Sequence, residues 1–123
     1  MNRYLINLNE SILQLKNKCP EVEFKAEFES EGSMFADIAF LNGQCKKYKI
    51  PLNVKIGGPE ALRDIFELSY LDVDGLIVPL VESPFAVQKF MDSINKFSNI
   101  NNASKFGILI ESIEGIKNIR EIV

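Results

Sequence analysis

Five charged residues lie where the sequence predicts that a strand gives way to a helix. They are Lys25, Glu27, Lys55, Glu82 and Glu111. Parallel α/β enzymes build their active sites on the loops that follow the carboxyl ends of their strands. The positions of these charges therefore predict an enzyme whose site gathers lysine and glutamate side chains at one end of a sheet.

Glu82 and Glu111 are the sharper pair, because each ends an apolar strand and directly precedes a turn into a helix. Carboxylates are seldom buried unless they are paired or bound to a cation. Two of them on neighbouring strands would suit Mg²⁺, which takes one or two carboxylates together with waters and substrate oxygens. Alternatively, each accepts hydrogen bonds from the N-terminus of the following helix, where a negative charge is favourable. Spacing alone leaves these two interpretations level.

Lys55 ends the second predicted strand, and Gly57 and Gly58 follow it directly. A lysine at this place could hold a substrate carboxylate electrostatically, or form a Schiff base if burial lowered its pKa. The more common case is a solvated lysine. The two glycines would let backbone N–H groups approach a ligand at the start of a helix. A simple tight turn is the alternative, and by itself this short motif favours it.

Lys25 and Glu27 alternate with apolar residues along the first predicted strand. Their face of the strand must meet either solvent or a polar barrel interior. An edge strand with a solvated face and a closed barrel with these charges at the top of its site account for the pattern equally well.

Hydrophobic periodicity divides the chain into a helix followed by four strand–helix units. Such alternation indicates a parallel sheet, and the strand-end charges favour a (β/α)8 TIM barrel over an open sheet. Because such a barrel takes about 250 residues, we expect one partial domain, 1–123, equal to the N-terminal half of a barrel and truncated at its C-terminus. The predicted strands cover residues 22–29, 51–56, 76–81 and 106–110, the last two buried on both faces, and the predicted helices cover 3–17, 33–48, 59–70, 84–97 and 115–123, with a polar loop over 99–104.

Composition excludes several classes of function. The net charge is −3, with no long basic run, so nothing favours binding to nucleic acid. The sequence has no apolar run of about 20 residues that could span a membrane, and its start lacks the apolar centre of a signal peptide. Cys19 and Cys45 are expected to be reduced thiols in a cytoplasmic protein. The absence of histidine removes Ser-His and Cys-His nucleophile pairs and histidine metal sites.

Four runs of sequence together carry a family resemblance. They are KAEFESEGS (25–33), KIGGPEALRDI (55–65), DGLIVPLVESPFAVQKF (74–90) and ILIESIEGIKNIREI (108–122). These runs resemble the HpcH/HpaI aldolase/citrate lyase family, in the family's order, and the similarity extends from about residue 22 to the end of the chain. The resemblance implies a (β/α)8 barrel that makes or breaks a carbon–carbon bond next to a carbonyl. It also implies Mg²⁺, or another divalent cation such as Mn²⁺, and a 2-oxo acid or related carboxylate substrate.

The resemblance also implies roles for individual residues. Glu111 corresponds to the family's glutamate metal ligand, and Glu82 to the glutamate at the end of the preceding strand, close to metal and substrate. Lys55 stands where many members have an arginine that grips the substrate carboxylate, so here the charge is kept and the bidentate geometry is lost. Gly57 and Gly58 would add backbone donors. The family's aspartate metal ligand and its acid/base histidine have no match in these residues.

We therefore expect a metal-dependent carbon–carbon lyase that passes through an enolate and forms homo-oligomers. Because the half-barrel leaves the metal site incomplete, the isolated chain is expected to be weakly stable, self-associating or inactive. One alternative is a related barrel that handles phosphoenolpyruvate or an acyl-CoA thioester. Another is a non-catalytic assembly module, in which two half-barrels close one barrel.

Overall fold

The computed structural model describes residues 3–29, 31–97 and 104–123. In this part of the chain, four strands alternate with helices after an N-terminal helix. The predicted loop over residues 99–104 lies outside the described residues except for Ser104. In chain order the elements are α1 (Arg3–Lys18), β1 (Phe24–Glu27), α2 (Phe35–Tyr48), β2 (Leu52–Lys55), α3 (Leu62–Leu68), β3 (Gly75–Val78), α4 (Pro84–Asn95), β4 (Lys105–Ile108), α5 (Ile113–Lys117) and α6 (Ile119–Ile122).

The four strands form one all-parallel sheet in the order β1-β2-β3-β4. Its register places Glu27 beside Lys55, and Val78 beside Ile108. Parallel neighbours require a crossover connection, and a helix supplies it between each successive pair of strands. The predicted α/β class with a parallel sheet is confirmed. As a result, the carboxyl ends of all four strands lie at the same edge of the sheet.

One face of the sheet packs against helices and forms the core. Leu52, Val54, Leu76 and Val78 on this face are at most 1% exposed. Burying an aliphatic side chain of this size contributes roughly 1.5–3 kcal/mol, so this layer holds the strands in place. The helices contribute their own buried residues to the same cluster, among them Ile38, Ile65, Leu68, Phe90 and Ile94.

The opposite face of the sheet is mostly polar, and we call it the polar face. Side chains alternate between the two faces of a strand, so the residues between the core positions must point here. This alternation brings lysine and glutamate side chains from separate strands into register. Two rows cross the polar face: Lys25, Asn53, Gly75 and Lys105, and next to them Glu27, Lys55, Ile77 and Gly107.

The third strand ends earlier than its apolar run predicts. It stops at Val78 rather than at Val81. Pro79 has no backbone N–H to donate, and Leu80 adopts a left-handed conformation with φ of 53°, so neither residue can continue the ladder. Apolar composition identified the strand correctly but could not reveal this turn.

The fourth strand was expected to be buried on both faces, and this prediction is wrong. Phe106 is 41% exposed, and Lys105 is also exposed. The reason is that β4 is an edge strand within the described residues, paired with β3 alone. The first strand, β1, forms the other edge within the described residues; Lys25 on this strand is exposed, whereas Glu27 is buried.

Two of the helices, α4 and α5, begin with serine caps, and all the helices follow the predicted order. Ser83 Oγ accepts a hydrogen bond from Ala86 N at 3.2 Å, and Pro84 occupies the first position of α4. The predicted final helix over residues 115–123 is instead two short helices, α5 and α6, separated at Asn118. Among the described residues, none of the helices combines the length and the apolar character needed to cross a membrane.

Candidate active site

A cavity of about 260 Å³ lies at the carboxyl ends of the strands. Residues at or just beyond the ends of all four strands contribute to its lining, so the parallel topology alone brings them together. The structure thus places three of the predicted site residues, Lys55, Gly57 and Glu111, around one cavity. The full lining consists of Glu27, Glu29, Lys55, Ile56, Gly57, Pro79, Leu80 and Glu111.

Glu27 links two lysines at the base of this cavity. Its Oε2 atom lies 3.2 Å from Lys55 Nζ, and its Oε1 atom accepts a hydrogen bond from Lys25 Nζ. Glu27 is only 8% exposed, and the Lys55 side chain is 18% exposed, so bulk water screens this contact weakly. Two ammonium groups and one carboxylate leave one net positive charge. The trio by itself is therefore net positive, whereas Glu29 and Glu111 make the cavity lining as a whole net negative.

The ion pair with Glu27 bears on the two roles predicted for Lys55. A Schiff-base lysine must be a neutral amine when it attacks a carbonyl. Lys55 is instead held beside a carboxylate, an arrangement that uses it as a cation. The geometry thus favours electrostatic binding of a substrate oxygen or carboxylate.

The first glycine after β2 lies close to the exposed side chain of Glu29. A Cβ atom at Gly57 would collide with the Glu29 carboxylate. The N–H group of Gly57 is already donated to Asp64 Oδ2 at 2.8 Å, so it is engaged within the protein rather than offered to a ligand. Burial raises the pKa of the Asp64 carboxyl, with smaller increases from Glu29 and Glu67, while the hydrogen bond from Gly57 opposes the rise.

Glu111 holds the turn that follows β3. Its Oε2 atom accepts a hydrogen bond from Leu80 N at 3.0 Å. Leu80 is the residue with the left-handed backbone, a conformation that costs roughly 1–2 kcal/mol for a residue with a side chain. Glu111 therefore has a structural partner on the neighbouring strand end, and its carboxylate also lines the cavity.

The structure does not bring Glu82 into this cavity. Its side chain is exposed, and its backbone oxygen accepts a hydrogen bond from Asn118 Nδ2 at 2.9 Å. The alternative capping role for Glu82 and Glu111 is filled by other residues. Ser83 caps α4, and Ser112 Oγ accepts from Gly115 N at 3.0 Å at the start of α5.

The donors in the cavity are compatible with a hard divalent cation. Glu111, Glu27 and Glu29 offer oxygen ligands, which Mg²⁺ prefers, although Glu27 already binds lysine. No cluster of three or more histidine, cysteine, aspartate or glutamate side chains suited to a metal occurs in residues 3–29, 31–97 and 104–123. A cation here would thus be held by one or two carboxylates, with its remaining ligands supplied by water or substrate. Glu111 is the best-placed ligand.

A second cavity, of about 450 Å³, adjoins the first and shares Glu29 and Gly57 with it. Gly58 lines this second cavity rather than the first. Phe85 at its mouth is 68% exposed, and the Lys89 ammonium lies 5.4 Å from the centre of the Phe85 ring. The second cavity therefore offers an apolar surface beside Lys89, whose ammonium group is paired with Glu60 at 3.3 Å.

Two features of the site were not foreseen as functional. Glu29 lines both cavities, and its carboxylate makes no hydrogen bond or ion pair within the described part of the chain. The alternation that indicated Lys25 and Glu27 also places Glu29 on the polar face, so the sequence pattern could have predicted Glu29 as a site residue. The turn at Pro79 and Leu80 was harder to predict, because leucine rarely adopts a left-handed backbone and nothing in the sequence indicates that Leu80 does.

Comparisons with known proteins assign no relative to this chain. No protein-family profile matches it, and no curated protein matches it.

Proposed function

We propose that the protein is a metal-dependent carbon–carbon lyase of the aldolase type, acting on a 2-oxo acid or a related carboxylate. The fold that goes with this proposal is a closed (β/α)8 barrel of the HpcH/HpaI kind, to which this chain contributes four strands. The observation that carries the proposal is the cavity at the strand ends, where Lys55 and Glu111 both line one small space. The resemblance in sequence supports the same chemistry.

Lys55 is the residue that would bind the substrate carboxylate. Glu27 fixes the lysine in place through the 3.2 Å contact, so the ammonium is positioned before the substrate arrives. Such preorganisation matters because a charge that need not reorient stabilises a developing negative charge more strongly than a mobile one does. Lys25, on the other oxygen of Glu27, would balance the charge of the carboxylate that anchors Lys55.

Glu111 would hold the divalent cation, with the substrate and water as the other ligands. When bound, such a cation would polarise the 2-oxo group and so make loss of a proton or of a carbon fragment easier. Glu29 supplies a carboxylate for the proton transfer, since it lines the cavity without an ion-pair partner in the described chain. In retro-aldol cleavage it would accept the proton of the substrate hydroxyl as the carbon–carbon bond breaks.

The test is deuterium exchange of the pyruvate methyl group, which reports enolate formation and needs no knowledge of the aldehyde product. The purified protein is incubated with pyruvate and Mg²⁺ in D₂O, and loss of the methyl signal is followed by proton NMR. Because this chain forms the cavity with its own residues, we expect exchange rather than the inactivity that an incomplete barrel implies. The exchange should depend on Mg²⁺ and fall about 100-fold or more in Lys55→Met and in Glu111→Gln. Glu29→Gln should also slow exchange, because its amide cannot accept the proton.

Matched controls are Lys96→Met at the end of α4 and Glu121→Gln in α6, both exposed. Each should exchange pyruvate at the unmodified rate. Exchange that is equal with and without a divalent cation, or that survives Lys55→Met unchanged, would contradict the proposal.

A further inference from the structure

The second cavity adjoins the first at the carboxyl ends of the strands. Glu29 and Gly57 line both cavities, whereas Lys55 lines only the first. A ligand held by Lys55 therefore has room to extend past Glu29 into the second cavity. At about 450 Å³, this cavity has the size of a small-molecule site. An apolar space of about 150 Å³ already holds a benzene ring.

Phe85 is the largest apolar side chain in the second cavity. The residue follows Pro84 in the first turn of α4, and its side chain is 68% exposed. Because the ring lines a concave part of the surface, a flat apolar ligand that covers it releases water from both. Aromatic ligands gain further from edge-to-face or offset-stacked contact with such a ring. The other apolar side chains of the lining are Pro59, Ala61 and Ala86.

Lys89 supports the Phe85 ring, and its charge is already paired. The two residues lie one turn apart on α4 and so on the same side of the helix. The Lys89 ammonium lies 5.4 Å from the centre of the ring and 3.3 Å from Glu60 Oε1. The cation–π contact helps to orient the ring, while Glu60 offsets the charge of the lysine.

The charge of the second cavity disfavours an anionic ligand. Among the described residues of its lining, the charged ones are Glu29, Glu60 and Lys89, which sum to one negative charge. A carboxylate or phosphate group entering this space would meet two carboxylates and an ammonium that already has a partner. A neutral ligand avoids that repulsion. The apolar lining and the charge thus favour the same kind of occupant, a neutral aromatic group.

We propose that the second cavity binds the aldehyde portion of the substrate, and that this portion carries a neutral aromatic ring. The inference rests on the proposed lyase function, which assigns the carboxylate end of the substrate to Lys55. Because Glu29 lines both cavities, the residues then follow the order of groups along the substrate. Lys55 binds the carboxylate, Glu29 accepts the hydroxyl proton, and Phe85 packs against the ring.

The aldol adduct of pyruvate and benzaldehyde represents this substrate class. In its cleavage, the bond between the methylene carbon and the hydroxyl-bearing carbon breaks, and the electron pair of that bond passes to the methylene carbon as the enolate forms. The hydroxyl proton passes to Glu29, and the hydroxyl-bearing carbon leaves as the aldehyde carbon of benzaldehyde. The enolate then takes up one proton to give pyruvate. Phe85 takes no part in the proton transfers.

The first test is binding of benzyl alcohol, a stable neutral analogue of benzaldehyde, to the ¹⁵N-labelled protein without Mg²⁺ or pyruvate. We expect saturable NMR shifts at the amides of Gly58, Ala61 and Ala86. Phe85→Ala should raise the Kd about tenfold, because the ring loses its main apolar contact. The matched control is Phe40→Ala on α2, an exposed phenylalanine outside both cavities, which should leave the Kd unchanged.

A charged probe tests the electrostatic part of the argument. At the same amides, para-(hydroxymethyl)benzoate should bind about fivefold more weakly than benzyl alcohol, because its carboxylate meets the net negative lining. Glu60→Gln removes one carboxylate and the ion-pair partner of Lys89, so this variant should recover most of the lost affinity. Equal or tighter binding of the anionic probe to the unmodified protein, or shifts confined to other parts of the chain, would overturn the proposal.

Cleavage kinetics give the specificity directly. The unmodified protein should cleave the benzaldehyde adduct with a kcat/KM about tenfold above that of the acetaldehyde adduct, and Phe85→Ala should remove most of this preference. Equal kcat/KM values for the two adducts would overturn the proposal.

The two proposals fail in different ways. Pyruvate exchange without binding of benzyl alcohol would overturn this inference and leave the lyase proposal standing. Benzyl alcohol binding without pyruvate exchange would contradict the lyase proposal, and with it the assignment of the ring to an aldehyde.

Discussion

Glu27 has the most influence on the site among the individual residues, because it holds Lys55 and Lys25 at the same time. Without its charge, two ammonium groups would face each other across a half-buried space with no carboxylate between them. Their mutual repulsion, and the loss of charge-assisted hydrogen bonds worth about 1.5–3 kcal/mol each, would act on the fold as well as on ligand binding.

We predict that Glu27→Gln lowers the free energy of unfolding by about 2 kcal/mol, since Lys25 is half exposed and part of the effect is screened. Urea denaturation at neutral pH measures the change. The matched control is Glu114→Gln on α5, where the carboxylate and its partner Lys117 are both largely exposed and the expected change is near zero. Equal effects of the two substitutions would argue against a structural role for the trio.

The two cysteines should differ sharply in reactivity. Cys45 is buried, and burial, followed by the charge of Asp74 and opposed by Lys46, raises the pKa of its thiol to about 11. At pH 8 its thiol is therefore neutral and shielded, whereas Cys19 is exposed. Mass spectrometry after brief treatment with iodoacetamide should show one modified cysteine in the folded protein and two in denaturant. Rapid modification of Cys45 in the folded protein would contradict this expectation.

The same thiol links stability to pH at the alkaline end. Because the folded pKa lies above the ordinary value of 9.0, the favourable contribution of the neutral thiol is complete below pH 9. It is lost as the pH rises through about 11. Cys45→Ala should remove that part of the alkaline loss of stability, as measured by thermal unfolding at a series of pH values.

At the scale of single residues, the sequence revealed which types of side chain meet at the strand ends but not what each one contacts. Lys55 and Glu111 could be placed at the strand ends because strand periodicity and the parallel topology determine their positions. The partner of Lys55 could not be chosen in advance, since pairing with Glu27 depends on the register between two strands. Glu82 does not line the first cavity, and the strand before it ends early, at Val78.

Among the elements, α2 contains a glycine that no contact requires. Gly43 lies inside the helix, and a Cβ added there would meet nothing within 4 Å. Gly57, by contrast, faces the Glu29 carboxylate at the end of β2. The two positions therefore allow the conformational cost of a glycine in a helix to be compared with the effect of a Cβ atom placed beside a neighbouring side chain.

We predict that Gly43→Ala raises the free energy of unfolding by about 0.5–1 kcal/mol, because alanine restricts the unfolded chain and favours the helix. Gly57→Ala should give a smaller gain, since the flexible side chain of Glu29 must move aside. Guanidinium denaturation of both variants, compared with the unmodified chain, measures the difference. A destabilised Gly43→Ala variant would mean that the surroundings of α2 are more crowded than the structure indicates.

Elements were predictable in type and order because periodicity and turn residues report them directly. The boundaries were less so. The apolar run over residues 76–81 continues past the point where Pro79 and Leu80 stop the ladder, and Asn118 divides the last helix. Periodicity counts apolar residues, whereas the ends of elements depend on backbone conformation and on caps such as Ser83.

For the whole molecule, alternation of strands and helices was enough to predict a four-stranded parallel sheet. It was not enough to predict what lies beside the outermost strands, because apolar residues read as buried whether or not a neighbour covers them. Phe106 illustrates the point: its sequence context is that of an interior strand, and it is 41% exposed at the sheet edge. Closure of the sheet, binding of the proposed metal and binding of the proposed substrate all involve the polar face, so each affects the others.

The most direct measurement is an NMR titration of the ¹⁵N-labelled protein with oxalate, a planar dianion that resembles the enolate of pyruvate. With Mg²⁺ present, we predict saturable shifts at the amides of Lys55, Gly57, Leu80 and Glu111, the residues around the first cavity. Without Mg²⁺, binding should be at least tenfold weaker, and Lys55→Met should weaken it further. Shifts confined to other parts of the chain, or equal affinity with and without the cation, would contradict the account.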